Sequence, residues 1–347
     1  MTQRNSTRCA VVILNWNGSA LLRRYLPSVL SGTNAAIGDV IVADNGSTDD
    51  SLQVLADEFP TVTVWPFDKN HGFAGGYNRA LQRAAAEGYE YTVLLNSDVS
   101  TPEGWLDPLV AFLDNHPDVG AVQPKIISDT DRTRFEYAGA SGGFIDRNGY
   151  PYCRGRIFDT CETDNGQYDD PIDIFWATGA ALTVRTDLYL QVGGLDEAFF
   201  AHMEEIDLCW RILLAGHRIM VVPQSVVYHL GGGSLPASNP RKTYLNFRNN
   251  LLLLHKNLPD STRRRKLFRR RLLDTIAWAK FAATLSWGNA AAVWRAHRHF
   301  ATMRRQYTTH PEVDLLDTRS DTRTNILTSY YLRGKKTFGA LSGVKKC

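Results

Sequence analysis

The first hundred residues alternate between two periods. Short β-branched runs at 10–14 (AVVIL), 39–43 (DVIVA), 61–65 (TVTVW) and 91–95 (YTVLL) are separated by stretches of helical period around 21–30, 51–58 and 74–86, and another follows at 103–115. Strands that read as continuous apolar runs need cover on both faces, and helical segments between them supply it. The alternation therefore predicts an α/β fold, a mostly parallel sheet with helices on both faces. Ligands of such sheets bind beyond the carboxyl ends of the strands. Those ends carry polar clusters here: Asn15 and Asn17, Asp44 and Asn45, and Asn96 to Asp98.

Charge divides the chain where the periodicity does. The net charge of +3 conceals an acidic body, residues 1–240 with 16 Lys/Arg against 30 Asp/Glu, joined to a basic region, 241–347 with 23 against 6. We expect a catalytic domain over 1–240 and a basic helical extension over 241–347. Within the body, 128–173 loses its period in a polar, Gly-containing stretch too long for an ordinary connection. Its recurring aromatic residues mark it as a functional excursion, an acceptor-recognition segment or a lid. Order returns at 172–184, in a helix near 204–215 and in strands at 217–222 and 225–229, before GGGS at 231–234 with Pro236 and Pro240 ends the body.

In the extension, Arg263, Arg264, Arg265, Lys266, Arg269, Arg270 and Arg271 stand beside Trp278, Phe281, Trp287 and Trp294. Cations for anionic headgroups with tryptophans for the boundary are the makeup of an interfacial helix, so an anionic membrane surface is the expected partner. Docking on the acidic body is the competing reading. No nucleic-acid-binding module accompanies the charge, and no nucleic acid is expected. The apolar stretch 272–287 is interrupted by Asp274 and Lys280 and falls short of the roughly 20 residues a span needs. The N-terminus lacks a cleavage-site pattern. Five scattered cysteines suit free thiols in a reducing compartment better than a disulfide framework or zinc site. Together these place the chain in the cytoplasm, peripheral at the inner face of the membrane.

Four clusters have residues suited to chemistry, and each also has a structural explanation. ADNGSTDDS (43–51) puts Asp44 at a strand end, either as the start of a capped turn or as an acceptor for a nucleobase N–H. NHGFAGGYNRAL (70–81) has glycines ahead of a helix, where backbone can approach a phosphate, though not in the dinucleotide pattern. LLNSDVS (94–100) presents Asp98 either as a turn former or as an oxygen ligand for a divalent cation on a diphosphate. In GGLDEAFFAHMEEIDLCWR (193–211), Glu204, Glu205 and Asp207 fall in the first turn of a helix, where acids also suit the macrodipole. Glu204 and Asp207 share a face, Asp207 is spaced to pair with Arg211, and Glu205 is free to act as a base. His229, at a strand end, is either a core histidine or a metal ligand.

Taken in order, VVILNWNG (11–18), IVADNGSTDDS (41–51), NHGFAGGYNRAL (70–81), LLNSDV (94–99), WATGAALTVR (176–185), GGLDEAFFAHMEEIDLCWRILLAGHRI (193–219) and VVYHLGGGS (226–234) resemble the family 2 glycosyltransferases, in particular their rhamnosyltransferase-like branch. The resemblance covers about residues 9–250. It implies the GT-A fold, a Rossmann-like sheet, here followed by a C-terminal helical extension, and inverting transfer of a sugar, rhamnose favoured, from a nucleotide-diphosphate donor to a lipid-linked glycan of the cell surface. It also implies a divalent cation, Mg²⁺ or Mn²⁺. Residue by residue, it implies that Asn15, Asp44, Asn70, Gly72 and Asn78 line the nucleotide site, with Asp44 facing the base. Asp98 corresponds to the last position of the D-x-D metal motif, whose first position is Asn96 here, and His229 to the histidine that completes metal binding. Glu205 is the implied catalytic base, with Glu204 its nearest competitor. Trp176, Thr178, Gly179 and Asp207 are the expected contacts to donor and acceptor sugars. A sugar-nucleotide nucleotidyltransferase and a non-catalytic, membrane-attached binding protein of the same fold are the alternatives. The first usually has a Gly-rich N-terminal loop with Arg, whereas the first run here leads into NWNG.

Overall fold

The structure, a computed structural model, describes residues 7–231 and 239–341. Most of the GGGS segment, Pro236, the first six residues and Cys347 therefore lie outside the described residues.

Strands β1 (Cys9–Asn15), β2 (Gly38–Asp44), β3 (Thr63–Pro66) and β4 (Tyr91–Leu95) form a parallel block in the order β3-β2-β1-β4. Helices α1 (Ser19–Gly32), α2 (Ser51–Glu58) and α3 (Gly72–Ala86) connect them. The short β5 (Val99–Ser100), α4 (Asp107–Asn115) and β6 (Val119–Ser128) follow. β1 and β4 are almost wholly buried, as their β-branched runs require.

The segment expected to be an irregular excursion is ordered. It folds into a four-stranded antiparallel sheet of β7 (Gly143–Ile145), β8 (Pro151–Cys153), β9 (Arg156–Ile157) and β10 (Thr160–Cys161), whose Phe144, Tyr152 and Ile157 are buried, as is Phe135. Strands of two or three residues show no period in a sequence, which is why this sheet was not anticipated. The chain then rejoins the main sheet through β11 (Ile172–Asp173), β12 (Ala181–Arg185), helices α5 (Thr186–Gln191) and α6 (Glu204–Leu214), and β13 (Arg218–His229). β12 runs antiparallel between β4 and β6, and β13 lies parallel to β6. The two strands expected at 217–222 and 225–229 are one strand, with a register shift between Val222 and Val226 where Pro223 interrupts the ladder.

Three helices, α7 (Pro240–Asn257), α8 (Asp260–Ala283) and α9 (Trp287–Met303), follow. Leu251, Leu252, Leu253 and Leu254 of α7 join the same buried cluster as Phe199, Trp210 and Ile219. Described residues on both sides of the boundary expected at 240 thus share one buried cluster, although the charge changes there. No helix among the described residues is long and apolar enough to cross a membrane.

Candidate functional site

Parallel register sets the first wall. β1 and β2 pair with Asn15 opposite Asp44, so both side chains meet beyond the strand ends. Asn15 Nδ2 donates to Asp44 Oδ1 at 3.0 Å and to Ser47 Oγ at 3.2 Å, and Ser47 N–H donates to Asp44 Oδ2 at 3.0 Å. Asp44 is buried and its carboxylate orders the 44–47 turn, while Asn15 Oδ1 is buried without a hydrogen-bond partner. The turn sits tightly on the next loop: a Cβ at Gly46 would lie 2.5 Å from the Lys69 backbone, and Gly46 has φ +70°. Only glycine meets both demands. Asn45 ties the two loops together, donating to Asn70 Oδ1 and to the Gly72 carbonyl and accepting from His71 N–H. Gly72 (φ +72°) faces open space.

A second cluster lies where β5 pairs antiparallel with the end of β13, His229 opposite Val99. His229 Nε2 is 3.1 Å from Asp98 Oδ1, the Asn96 amide is 3.4 Å from the same nitrogen, and Nδ1 faces Glu136 Oε2 at 3.4 Å. That last approach is an ionic contact, since Nδ1 makes no hydrogen bond. Burial opposes charge on the imidazole, yet Asp98 and Glu136 outweigh it and push His229 up to about 10. Burial would likewise raise Asp98, and the His229 partner outweighs it and lowers that carboxyl.

Asp98 and His229 fit a divalent cation. Asp98 offers a carboxylate oxygen and His229, once a cation displaces the proton between them, an imidazole nitrogen 3.1 Å away, with Glu136 beyond the other ring nitrogen. Among the described residues no group of three or more His, Cys, Asp and Glu side chains converges on one point. Remaining positions would fall to phosphate oxygens and water.

The third cluster opens α6. Phe200, His202 and Met203 all have positive φ (67°, 68° and 76°), a run of strained non-glycine residues immediately before Glu204. Glu204 and Glu205 each have an Oε2 without a hydrogen-bond partner. Burial, with the adjacent Glu205, raises Glu204 well above the ordinary carboxyl range. Burial also raises Glu205, to about 7. A Cβ at Gly179 would lie 3.4 Å from the Phe73 ring and 3.8 Å from Glu205 Cβ, so the glycine leaves a slot between the first turn of α3 and the acid pair. Asn96 N–H donates to the Ala180 carbonyl, which joins that slot to the Asp98 loop.

Four expected site residues support these walls from behind. Asn78 gives Oδ1 to Tyr189 O–H and Leu195 N–H and its Nδ2 to the Leu195 carbonyl, so it holds the 193–195 turn and does not complete the nucleotide pocket. Asp207 is fully buried, its oxygens bonded by Arg211, Lys256 and Asn257, which leaves none for a sugar. Its expected pairing with Arg211 is present. Burial would raise the Asp207 carboxyl, and Arg211 and Lys256 outweigh it and lower it. Trp176 is core, its indole N–H donating to the Phe144 carbonyl. Thr178 is buried as well, its hydroxyl accepting from Ala180 N–H to shape the turn around Gly179.

Residues 10–169 match the profile of glycosyl transferase family 2. Residues 10–169 form a family 2 glycosyltransferase domain. This glycosyltransferase is 29% identical over 232 residues to the N-acetylglucosaminyl-diphospho-decaprenol L-rhamnosyltransferase of Mycobacterium tuberculosis, an alignment covering 63% of this chain and 75% of that one. It is 30% identical over 232 residues to the pre-mycofactocin glycosyltransferase of the same species, covering 63% of this chain and 42% of that one. Among solved structures, GalNAc-T7 with UDP, GalNAc and Mn²⁺ shares the fold at TM-score 0.54 and 18% identity, over 74% of this chain and 49% of that one. The Pyrobaculum calidifontis mannosyltransferase PcManGT, in complex with GDP-Man and Mn²⁺, does so at 0.50 and 17%, over 86% and 84%. The glycosyltransferase has the GT-A fold.

Sequence reasoning missed the residues that hold the acid pair in place. Asn249 of α7 donates from its single amide to the carbonyls of Phe199, Ala201 and His202 at 2.9, 2.8 and 2.7 Å, and Arg248 donates to Ala198 and Phe199. Their signal was available: polar residues directly ahead of an apolar run in a helix mark a buried polar face. Glu136 carried none, being a lone acid in an aperiodic segment.

Proposed function

We propose that the chain is an inverting glycosyltransferase that moves a sugar, rhamnose favoured, from a nucleoside diphosphate to a hydroxyl of a diphosphate-linked lipid glycan. The name of its M. tuberculosis relative supports both the sugar and the class of acceptor. Asn15, Asp44, Asn70 and Gly72 wall the nucleotide. Asp98 and His229 would hold Mg²⁺ or Mn²⁺, which when bound neutralises the charge that develops on the departing diphosphate. Glu205 removes the acceptor proton as that oxygen attacks the anomeric carbon from the side opposite the leaving group. Burial and the neighbouring carboxyl raise Glu204 as well, so the two acids disfavour ionising together. The basic extension brings the enzyme to the cytoplasmic face of an anionic membrane, where such an acceptor is anchored.

The observation that carries this reading is Glu205: a carboxyl raised to about 7, with an unpartnered oxygen, beside the slot that Gly179 leaves. A base titrating near the working pH is matched to proton abstraction. Thermal stabilisation of the purified chain by a panel of nucleotide sugars with Mn²⁺ tests it, with dTDP-rhamnose expected to give the largest shift. A panel in which no nucleotide sugar stabilises the protein contradicts the reading.

A further inference from the structure

A cavity of about 400 Å³ opens between the turn before β8, helix α8 and the segment after α9, lined by Arg147, Arg265, Lys266, Arg269 and Arg323 against one carboxylate, Asp317. Lys266 is matched by Asp314 and Asp317, and Arg265 approaches Asp317 at 3.7 Å. The other three arginines have no side-chain partner among the described residues, and all three are exposed. Unpaired guanidinium groups facing one space repel each other, and an anion of more than one charge relieves that repulsion. Their planar donor forks suit phosphate oxygens.

The same face of α8 continues as an apolar stripe. At 100° per residue, Phe268, Leu272 and Ile276 fall on the side that carries Arg265 and Arg269. They are 71%, 57% and 63% exposed, so nothing among the described residues covers them. A multiply charged head beside an uncovered hydrocarbon strip describes an amphiphile whose phosphate is terminal or a diphosphate. The position suits an acceptor. α7 touches the cavity's turn through Asn250, which donates to the Gly149 carbonyl, and touches the loop before the acid pair through the adjacent Asn249. Neighbouring residues of α7 thus hold both the turn that borders the cavity and the loop that precedes the acid pair.

We infer that this cavity binds the phosphate of a lipid-linked ligand, with the lipid lying along Phe268, Leu272 and Ile276. The inference rests on the glycosyltransferase reading for the identity of that ligand as acceptor. Sedimentation with phosphatidylcholine vesicles carrying undecaprenyl phosphate, with charge-matched phosphatidylglycerol vesicles alongside, tests it on the full chain. Arg147→Ala/Arg323→Ala removes two unpartnered cations from the cavity. Arg264→Ala/Arg271→Ala removes two from other faces of α8. Wild type should prefer the undecaprenyl phosphate vesicles, and the cavity double variant should bind them roughly tenfold or more weakly while the matched control keeps its affinity.

Equal losses in both double variants, or equal affinity for phosphatidylglycerol, overturn the site. Stabilisation by inorganic pyrophosphate that depends on Arg147 and Arg323, without vesicle preference, assigns the cavity to a free phosphate and overturns the lipid assignment. Donor binding by the wild type is measured in parallel. A wild type that binds no nucleotide sugar refutes the glycosyltransferase reading, whereas normal donor binding without any dependence on the cavity refutes the cavity alone.

Discussion

Replacing Glu205 by Gln should make the protein a poorer enzyme and, at alkaline pH, a more stable one. The Glu205 carboxyl titrates near 7 in the fold, against its ordinary value of 4.5. A carboxyl raised by folding contributes fully below its unfolded value, and that contribution is lost as pH rises through the folded value. The difference corresponds to about 3 kcal/mol of stability given up by the wild type at pH 8 and to almost none at pH 4. Gln cannot ionise and escapes that loss. With an unfolding entropy of about 2.1 cal/mol/K per residue over a chain of this length, the gain at pH 8 is about 4 °C in Tm. Transfer should fall by about 10²- to 10⁴-fold, the usual worth of general-base assistance. The wild-type rate should itself rise with pH through about 7 as the base ionises. Paired melting curves at pH 5 and pH 8, with turnover read as nucleoside diphosphate release, check all three. A variant with wild-type turnover, or a Tm gain equal at both pH values, would refute the role given to Glu205.

Asp98→Ala should weaken donor binding in Mn²⁺ far more than in chelator, measured by calorimetry, and equal donor affinity in both would count against a cation at Asp98 and His229. Asn249→Ala removes three hydrogen bonds to the strained 199–202 loop and should cost about 1–3 kcal/mol while lowering kcat more than it raises KM. Steady-state kinetics in which only KM changes would argue against a positioning role. Asp207→Ala leaves Arg211 and Lys256 without their buried partner and should destabilise the fold by about 3–5 kcal/mol in urea. Unchanged stability with altered sugar preference would return Asp207 to the sugar site.

The architecture was legible where strands are buried on both faces. β1, β2 and β4 are apolar runs because helices cover them, and the sequence ranges expected for them match the structure to within a residue or so. The antiparallel sheet at 143–161 escaped because its stability comes from contacts far along the chain, such as Phe144 against Phe338. At the site, the motifs pointed to the right loops and misplaced some side chains within them. Asn78 and Asp207 sit beside residues that face the site but point into its supports, a distinction of direction that spacing alone leaves open. The opposed charges of body and tail were visible from the start. Part of that opposition is spent internally, where Lys256 pairs with Asp196 and Asp207. Of the basic run expected to face headgroups, Lys266 and Arg270 are buried and paired with Asp314, Asp317 and Asp274, whereas Arg264, Arg269 and Arg271 stay exposed along α8.

The most direct test of the central claim is a transfer assay with dTDP-rhamnose, Mn²⁺ and a synthetic diphosphate-linked N-acetylglucosaminyl lipid, comparing wild type with Glu205→Gln. The account predicts a glycolipid one sugar longer, with its anomeric configuration inverted relative to the donor, formed by the wild type and reduced at least about a hundredfold in the variant. A product of retained configuration, or equal yields from the two proteins, would contradict it.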